Sequence, residues 1–563
     1  MRAGADTAVP AEAGRAWAAL VRAWERVPVR EPWRVLLPLL AVEWLATAAL
    51  ALAVHHNGWL FYQGGDQIWY WTTSWLAGHG LIPKTLISPA WSLLLAPFAL
   101  VAGPSFVAGL PAAVLVQTLV LAPVALFCVY DIAARIAGRA IGYLAAAAWV
   151  VGPFLAVPFF VQRYHDKYVD QFLPHPLGLT AMGDFPSVVC LLAAGACMVR
   201  TYQSRRVEWG LLAGLVAGLA LLTKASNLIF LAAPVVLLLA GRRWRELAAF
   251  VLAALPALGA LALWKYRGYG YLPAFTNAYE PQRLALGPAP AGSILTPYHK
   301  YLQLDWSHLQ NNLDGLGEVF FSLRLLQFLP FAGALAVARR APALALSLSA
   351  WFWLYFVIKG SDAVSSVDSG SFFRLLVPAV PPLVVMTASL PVLVPRLGPA
   401  LAARFPAPPP RIPSRRVLIA AAVLFSLVPL VASAALRPVR GGARVVIVHQ
   451  IAVPVDGGVG LRADVSNGAV HLRWNAMDTH STRVFYRVLR LRGTKDVICP
   501  GHGGADTCVY AGLLRLRTRS TAADERPGPG TWSYRVAVGA NWLDDPRLGD
   551  TFLLSRRAVV RVP

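Results

Sequence analysis

The sequence predicts an α-helical polytopic membrane protein, with about eleven transmembrane helices, that continues into a C-terminal all-β sandwich domain. Of its 563 residues, 57% are apolar and only 14% are charged, whereas soluble domains have about 45–50% and about 25%. Long apolar runs fill residues 35–436. After residue 437, apolar and polar residues alternate with a period of two, as in strands. These observations exclude an ordinary soluble chain and a disordered one.

The formal net charge of +23 indicates how the chain lies in the membrane. In a chain this apolar, we interpret the surplus of arginine as cytoplasmic loops that follow the positive-inside rule, and not as a surface for nucleic acid. The N-terminus is then cytoplasmic, and an odd number of spans places the C-terminal domain outside. We therefore expect a multi-pass protein of the plasma (inner) membrane, with membrane lipids as its surroundings.

A spanning helix needs about 20 mostly apolar residues. Segment 86–103 is apolar too, but three prolines interrupt it, so we interpret it as a re-entrant or membrane-surface piece. The predicted outer loops are 55–105, 161–183, 265–316 and 360–374. The predicted spans are 35–54, 106–129, 140–160, 184–200, 207–223, 226–241, 246–264, 317–337, 341–359, 375–395 and 416–436.

Two segments are expected on the cytoplasmic side. Residues 1–34 are basic and amphipathic, which is typical either of a helix on the inner leaflet or of a partly disordered tail. They lack the short apolar core and cleavage site of a secretory signal. The connector 397–415 is rich in proline, and a plain linker explains it more simply than a partner-binding motif.

The C-terminal residues 443–563 contain about seven alternating segments separated by turns, which predicts a β-sandwich. The surroundings of Trp474, Tyr486 and Tyr534 resemble a fibronectin type III module. This resemblance implies that Trp474 fills the core and that the late tyrosine, Tyr534, makes a corner hydrogen bond. Such a module would contact the acceptor or the cell wall.

The cysteines of the C-terminal domain and those of the predicted spans are expected to have different roles. Cys499 and Cys508 lie in one loop of the C-terminal domain, where an outward location is oxidising. We therefore expect a Cys499–Cys508 disulfide in preference to two free thiols. Cys128, Cys190 and Cys197 fall in predicted spans, where we expect them to be packing residues.

Acidic residues at the ends of spans are candidate functional groups, because charge close to a membrane is costly. In the first outer loop, Asp66 follows two glycines and precedes Tyr70 and Trp71, which are candidate substrate contacts. The structural alternative is an aromatic belt around one solvated carboxylate. Glu43, within the first span, is assigned a structural role.

The second outer loop carries His165, Asp166 and Lys167 as further candidate substrate contacts. Asp184 opens the following span, where it is a candidate catalytic acid. The alternative is that Asp184 only complements the positive end of the helix dipole. The spacing of the outer histidines matches no compact metal-ligand pattern.

The order of these motifs resembles the GT-C superfamily of membrane glycosyltransferases, which includes protein O-mannosyltransferases and lipid A aminoarabinose transferases. The resemblance covers about 35–395. It departs at Gln67, where the family commonly has a second acid. The similar features are the acid after the first span (Asp66), the acid opening a later span (Asp184), the glycine-rich span ending at Lys224, and Arg374 followed by spaced prolines.

The resemblance implies transfer of a sugar from a polyprenyl-phosphate donor to an extracytoplasmic glycan, lipid or protein, with inversion. In this scheme Asp66 is the general base, and Asp184 orients the acceptor or assists. The candidate phosphate ligands are Lys84, Lys224 and Arg374. The resemblance leaves open whether a divalent metal ion binds at this site. Gln67 argues against it, because such an ion prefers several oxygen ligands.

Two other function classes remain. A transporter or lipid flippase would place charges at mid-bilayer in repeated halves, whereas these acids lie in outer loops and no repeat is visible. A non-catalytic anchor that displays the sandwich domain would need one span. The glycosyltransferase interpretation accounts for both the number of spans and the pattern of acids and cations.

Overall fold

The computed structural model describes residues 32–53, 65–80, 87–159, 161, 180–266, 302, 304–319, 327–368, 370–394, 415–436, 444–448, 451–477, 484–495, 513–539 and 551–563. Helices occupy the described residues up to Ala435, and strands occupy those from Arg444 onward. The predicted fold class, a polytopic helical region followed by a β region, is confirmed.

The helical region is built from long apolar helices and a few shorter ones. α4 contains a π-helical turn at Gln117–Leu121, and α8 begins with a 3-10 turn. The described helices are α1 (Trp33–Ala53), α2 (Gly65–Gly78), α3 (Pro89–Ala102), α4 (Phe106–Ala137), α5 (Arg139–Ala156), α6 (Asp184–Ser204), α7 (Val207–Thr223), α8 (Ala225–Ala240), α9 (Trp244–Tyr266), α10 (Trp306–Val319), α11 (Leu329–Ala338), α12 (Pro342–Gly360), α13 (Ser371–Leu393) and α14 (Arg415–Ala435).

Six of these helices, α4, α5, α6, α9, α12 and α13, are long and apolar enough to cross a membrane. The shorter helices α3, α7, α8 and α11 are apolar as well. The chain is therefore a multi-pass membrane protein by the length and composition of its helices. The predicted number of eleven spans, and the predicted orientation, remain predictions.

Two predicted segments can be compared with the structure. Within the apolar piece 86–103, residues Pro89–Ala102 form one helix, α3, with Pro89 in its first turn, where the missing N–H removes no helical bond; that this piece is re-entrant or lies at the membrane surface stays a prediction. The predicted span 317–337 is interrupted, because residues 327–328, just before α11 begins at Leu329, form a turn. Helix α10 is amphipathic, with its buried side chains, Leu309 and Leu316 among them, in one stripe.

Helices α7 and α9 lie unusually close together, and glycines make this possible. Gly210, Gly214 and Gly218 recur at intervals of four on α7. A Cβ at Gly210 would lie 2.9 Å from the backbone oxygen of Glu246, and one at Gly214 would overlap the backbone oxygen of Phe250. Small residues at this spacing are typical of close helix pairs in membranes. The contact fixes α7, which leads into the candidate site.

The strands form two sheets. The larger sheet has the order β1-β2-β9-β8-β5-β6, with β10 also paired to β8, and the smaller sheet has the order β3-β4-β7. Val453, Val470 and Val536 belong to a single buried cluster, so the two sheets share one core. The strands are β1 (Arg444–Val448), β2 (Ile451–Val455), β3 (Arg462–Ser466), β4 (Ala469–Arg473), β5 (Phe485–Arg492), β6 (Leu513–Thr518), β7 (Ala522–Glu525), β8 (Gly530–Gly539), β9 (Thr551–Leu554) and β10 (Ala558–Val562).

The aromatic residues of this domain differ in one respect from the prediction. Trp474 is buried, and its ring lies 5.5 Å from that of Tyr486, measured between centroids. The Tyr486 hydroxyl accepts a hydrogen bond from the Met477 backbone N–H at 2.9 Å. Tyr534 is fully buried, but among the described residues its hydroxyl makes no bond to the backbone. The corner-type hydrogen bond thus belongs to Tyr486, because Tyr486 faces the chain that leaves Trp474.

The β domain touches the helical region directly. Strand β2 lies against α2, where the Ala452 backbone N–H donates to Thr72 Oγ1 at 3.3 Å. Trp71 and Trp75 of α2 belong to the same buried apolar cluster as Val453 of β2. The two regions are therefore joined at α2 as well as through α14, which packs on α3 and α4.

Several predictions lie outside the described residues. They are the amphipathic N-terminus, apart from its last residues, most of the proline-rich connector 397–415, and the Cys499–Cys508 disulfide. Cys128 and Cys197 are buried in the helical region and Cys190 is half-buried, which agrees with a packing role.

Candidate active site

Asp66 lies in the first turn of α2. A carboxylate there interacts favourably with the positive end of the helix dipole. Its side chain is 51% exposed, so it can meet a molecule that approaches from outside the protein.

Asp184 lies in the first turn of α6, and its side chain is only 3% exposed. Three side chains hold the backbone that leads into it. Gln67 Oε1 accepts the Ala181 N–H at 2.9 Å, and Trp91 Nε1 donates to the Ala181 oxygen at 3.0 Å. Gln117 Nε2 donates to the oxygen of Thr180. The position of Asp184 is thus fixed by α2, α3 and α4 together.

Lys224 occupies a break between α7 and α8. Its backbone is extended, with φ −148° and ψ 114°, so α7 ends and the side chain leaves the helical path. Ser88 Oγ accepts the following N–H, from Ala225, at 3.1 Å, which satisfies a donor that the break exposes. The Lys224 ammonium donates to Asp184 Oδ1.

Arg374 lies in the first turns of α13 and joins the two acids. Its Nη2 is 2.5 Å from Asp66 Oδ2 and 3.4 Å from Asp184 Oδ2. With the Lys224 contact, the result is a continuous line, Asp66–Arg374–Asp184–Lys224. The exposed fraction of the side chain falls from 51% for Asp66 through 26% for Arg374 to 3% for Asp184, and Lys224 beyond it is 17% exposed. The line leads from solvent into the protein.

The charges of this four-residue line balance, with two carboxylates and two cations. Lys359 lies close behind, 4% exposed and 2.5 Å from Asp362. Arg374 Nε is buried and has no acceptor among the residues that the structure describes. Buried donors are normally paired, so the guanidinium has hydrogen-bonding capacity left for an anionic ligand.

The described residues of this line do not by themselves form a site for a divalent metal ion. Within the described part of the chain, no group of three histidine, cysteine or acidic side chains is placed to hold one. Oxygens of Asp66 and Asp184 are already bound to Arg374 and Lys224. A hard cation would need several of these oxygens for itself.

Two predicted substrate contacts, Tyr70 and Trp71, are buried in the structure. Trp71 is fully buried, and its Nε1 donates to the Gly103 oxygen at 3.0 Å. Tyr70 is 6% exposed, and its hydroxyl lies beneath Gly183, just before Asp184. Both side chains point into the cluster that α2 shares with its neighbours, so neither faces the open side of Asp66.

Four further predicted residues, Lys84, His165, Asp166 and Lys167, lie outside the described residues. The sequence interpretation did not assign Ser88 or Gln117, and it treated Gln67 only as a departure from a family pattern. Gln67 in fact holds Ala181, 114 positions away. The signal in the sequence was a polar side chain, Gln67, in a mainly apolar segment, but the sequence does not show which residue it binds.

A second polar group lies on the smaller sheet. His471 contacts Ser466 Oγ and Asp524 Oδ1, each at 2.8 Å. The Asp524 side chain is 76% exposed, so the surroundings do not desolvate it as an enclosed catalytic site would. We assign this group to the stabilisation of β3, β4 and β7.

Comparison with protein families gives one match. Residues 175–265 match the family described as dolichyl-phosphate-mannose-protein mannosyltransferase. This segment is less than a fifth of the chain, and it contains Asp184 and Lys224. Over this segment, the match confirms the resemblance to GT-C glycosyltransferases. No curated protein matches the chain.

Solved structures also resemble the chain, at low identity and with TM-scores below 0.5. The Archaeoglobus fulgidus oligosaccharyltransferase tethered to an acceptor peptide is 14% identical, with a TM-score of 0.41, and 72% of this chain and 55% of that one are covered. ArnT from Cupriavidus metallidurans is 17% identical, with a TM-score of 0.37, and 65% and 61% are covered. The chain spans about half the length of the oligosaccharyltransferase.

Proposed function

We propose that this chain is a membrane glycosyltransferase of the GT-C type. It transfers a sugar from a polyprenyl-phosphate donor to an extracytoplasmic glycan, lipid or protein. The observation that carries the proposal is the line Asp66–Arg374–Asp184–Lys224, which brings together an exposed carboxylate, a buried carboxylate and two cations. The match of residues 175–265 to a mannosyltransferase family supports it.

Asp66 is the general base. It is the more exposed of the two acids, so an acceptor hydroxyl can reach it and lose its proton to it. The acceptor oxygen forms a bond to the anomeric carbon from the face opposite the phosphate. The carbon–oxygen bond to the phosphate breaks with both electrons on the departing polyprenyl phosphate, and the configuration inverts.

Arg374 and Lys224 stabilise the departing phosphate. A guanidinium offers several N–H groups in a fixed plane, and an ammonium acts as a compact charge. Asp184, which is bound to both cations, holds them in position. Because a lipid-linked donor stays in the membrane, the site belongs at the ends of the helices, which we place on the extracytoplasmic side of the inner membrane.

The test measures sugar release by the purified protein from a panel of polyprenyl-phosphate sugars, with a mixed pool of glycan and peptide acceptors. Asp66→Asn keeps the size of the side chain and removes the base, so turnover should fall by about 10²-fold or more. Asp314→Asn changes an exposed carboxylate on α10 and should leave turnover within about twofold. Equal turnover in the wild type and Asp66→Asn would refute the assignment of the base, and no turnover with any donor would contradict the enzyme class.

A further inference from the structure

We propose that the C-terminal β domain is a positioning element of the active site, which holds helix α2, and through it Asp66, against Arg374. The inference rests on the proposed function for the role of Asp66. It differs from the sequence interpretation, in which this domain contacts an acceptor or the cell wall.

The first support is a buried hydrogen bond between the two regions. Ala452 N–H donates to Thr72 Oγ1 at 3.3 Å, and Thr72 and Ala452 are 2% and 3% exposed. Strand β2 pairs with β1 along its length, while its described pairing with β9 is at Val455, three residues further on. A buried backbone N–H needs an acceptor, and at Ala452 a side chain of α2 supplies it.

The second support is continuous apolar packing. Trp71, Trp75 and Leu76 of α2 lie in the same buried cluster as Val453 and Val455 of β2. A helix of 14 residues is marginal on its own in water, so tertiary contacts determine where it lies. Those contacts come from α3 and α4 in the helical region and from β2 of the β domain.

The third support is the short path from this contact to the reacting group. Thr72 is six residues after Asp66, which is about 9 Å along a helix at about 1.5 Å per residue. Displacing one part of a short helix therefore displaces the other. Lys224 and Arg374 lie between α7 and α8 and on α13, whereas the main described contact of β2 with the helical region is with α2. Loss of the β2 contact should thus disturb Asp66 more than the cations.

The experiment uses the full chain with a protease site inserted at 437–443, between α14 and β1. Thr72→Val keeps the shape of the side chain but removes the acceptor, and Thr72→Ser restores a hydroxyl. Thr201→Val is the matched control, because Thr201 is fully buried and its hydroxyl binds Cys197 O elsewhere in the helical region. The measurements are retention of the cleaved domain, hydrogen exchange of the α2 amides, and donor turnover.

The wild type, Thr72→Ser and Thr201→Val should keep the cleaved domain bound. Thr72→Val leaves a buried donor unpaired, so release should rise by about 5- to 150-fold, the α2 amides should exchange faster, and kcat should fall while the donor KM stays constant. The proposal is overturned if the domain dissociates without a change in α2 exchange, or if Thr72→Val behaves like Thr201→Val. Retention and exchange need no donor, so they decide the proposal even if no donor is turned over.

Discussion

Gly183, the residue before Asp184, has no room for a side chain. A Cβ at this position would lie 2.7 Å from the Tyr70 hydroxyl oxygen and 2.9 Å from Tyr70 Cζ. The φ of Gly183 is −80°, which alanine adopts readily, so the cost of Gly183→Ala comes from crowding and not from the backbone. Overpacking of this kind destabilises proteins by about 1–3 kcal/mol.

Relief of this crowding would move Asp184 or Tyr70. The backbone from Thr180 to Ala181 is held by Gln67, Trp91 and Gln117, so it cannot move freely away from the ring. Asp184 would therefore shift relative to Lys224 and Arg374, and an error of about 1 Å in such a geometry can cost about 10²-fold in rate. We expect Gly183→Ala to lower both thermal stability and sugar transfer.

The assay is thermal unfolding in detergent together with turnover. Gly152→Ala is the control, because a Cβ there meets no atom within 4 Å. Tyr70→Phe removes the atom nearest to the new methyl group, so the double variant should be less destabilised than the sum of the two single variants, by about 0.5 kcal/mol or more. Additive effects, or equal losses in Gly183→Ala and Gly152→Ala, would refute the reasoning.

Two more predictions concern the frame of the site. Gln67→Leu leaves the buried Ala181 N–H without its acceptor, so it should destabilise the protein by about 1–3 kcal/mol and reduce turnover. The control is Gln203→Leu, whose Arg135 contact is only part-buried, and it should lower stability and activity less in the same unfolding and turnover assays. Equal losses in the two variants would contradict the role of Gln67. Hydrogen bonds from the His308 N–H and the Ser307 hydroxyl lower the pKa of Asp305 below 3.8, so this carboxylate stabilises the start of α10 above that pH, and its contribution is lost as pH falls through the lowered pKa. Amide exchange of α10 between pH 5 and pH 2 should show this loss in the wild type, whereas a similar dependence in Asp305→Ala would contradict it.

The sequence alone singles out the four polar residues of the candidate site. Asp184, Lys224 and Arg374 each lie near the end of a predicted span, and Asp66 lies in the outer loop after the first one. Counting the predicted spans places all four on the same side of the membrane. In the structure these four residues contact one another. A sequence allows such a prediction because each spanning helix carries the chain to the opposite side of the membrane, whatever its neighbours are.

The contacts themselves were not predictable from the sequence. Aromatic residues of a membrane belt and aromatic residues of a core look alike, so Trp71 was assigned to substrate although it is fully buried. Likewise, Gln67 and Ala181 are 114 positions apart, and apolar periodicity defines a helix without defining what lies against it. The packing of β2 on α2 could not be predicted for the same reason, since the sequence does not show which elements lie against each other.

The Asp184–Lys224 pair also bears on how the chain is made. Its two residues are 40 positions apart and belong to successive helices, α6 and the end of α7, whereas Arg374 follows Asp184 by 190 positions. Lys224 is therefore synthesised soon after Asp184, so the carboxylate gains a neutralising neighbour early in membrane insertion. The guanidinium arrives much later, after several further helices. The reactive centre therefore assembles only after most of the protein has been inserted. A chain truncated before Arg374 contains both acids without the arginine that joins them.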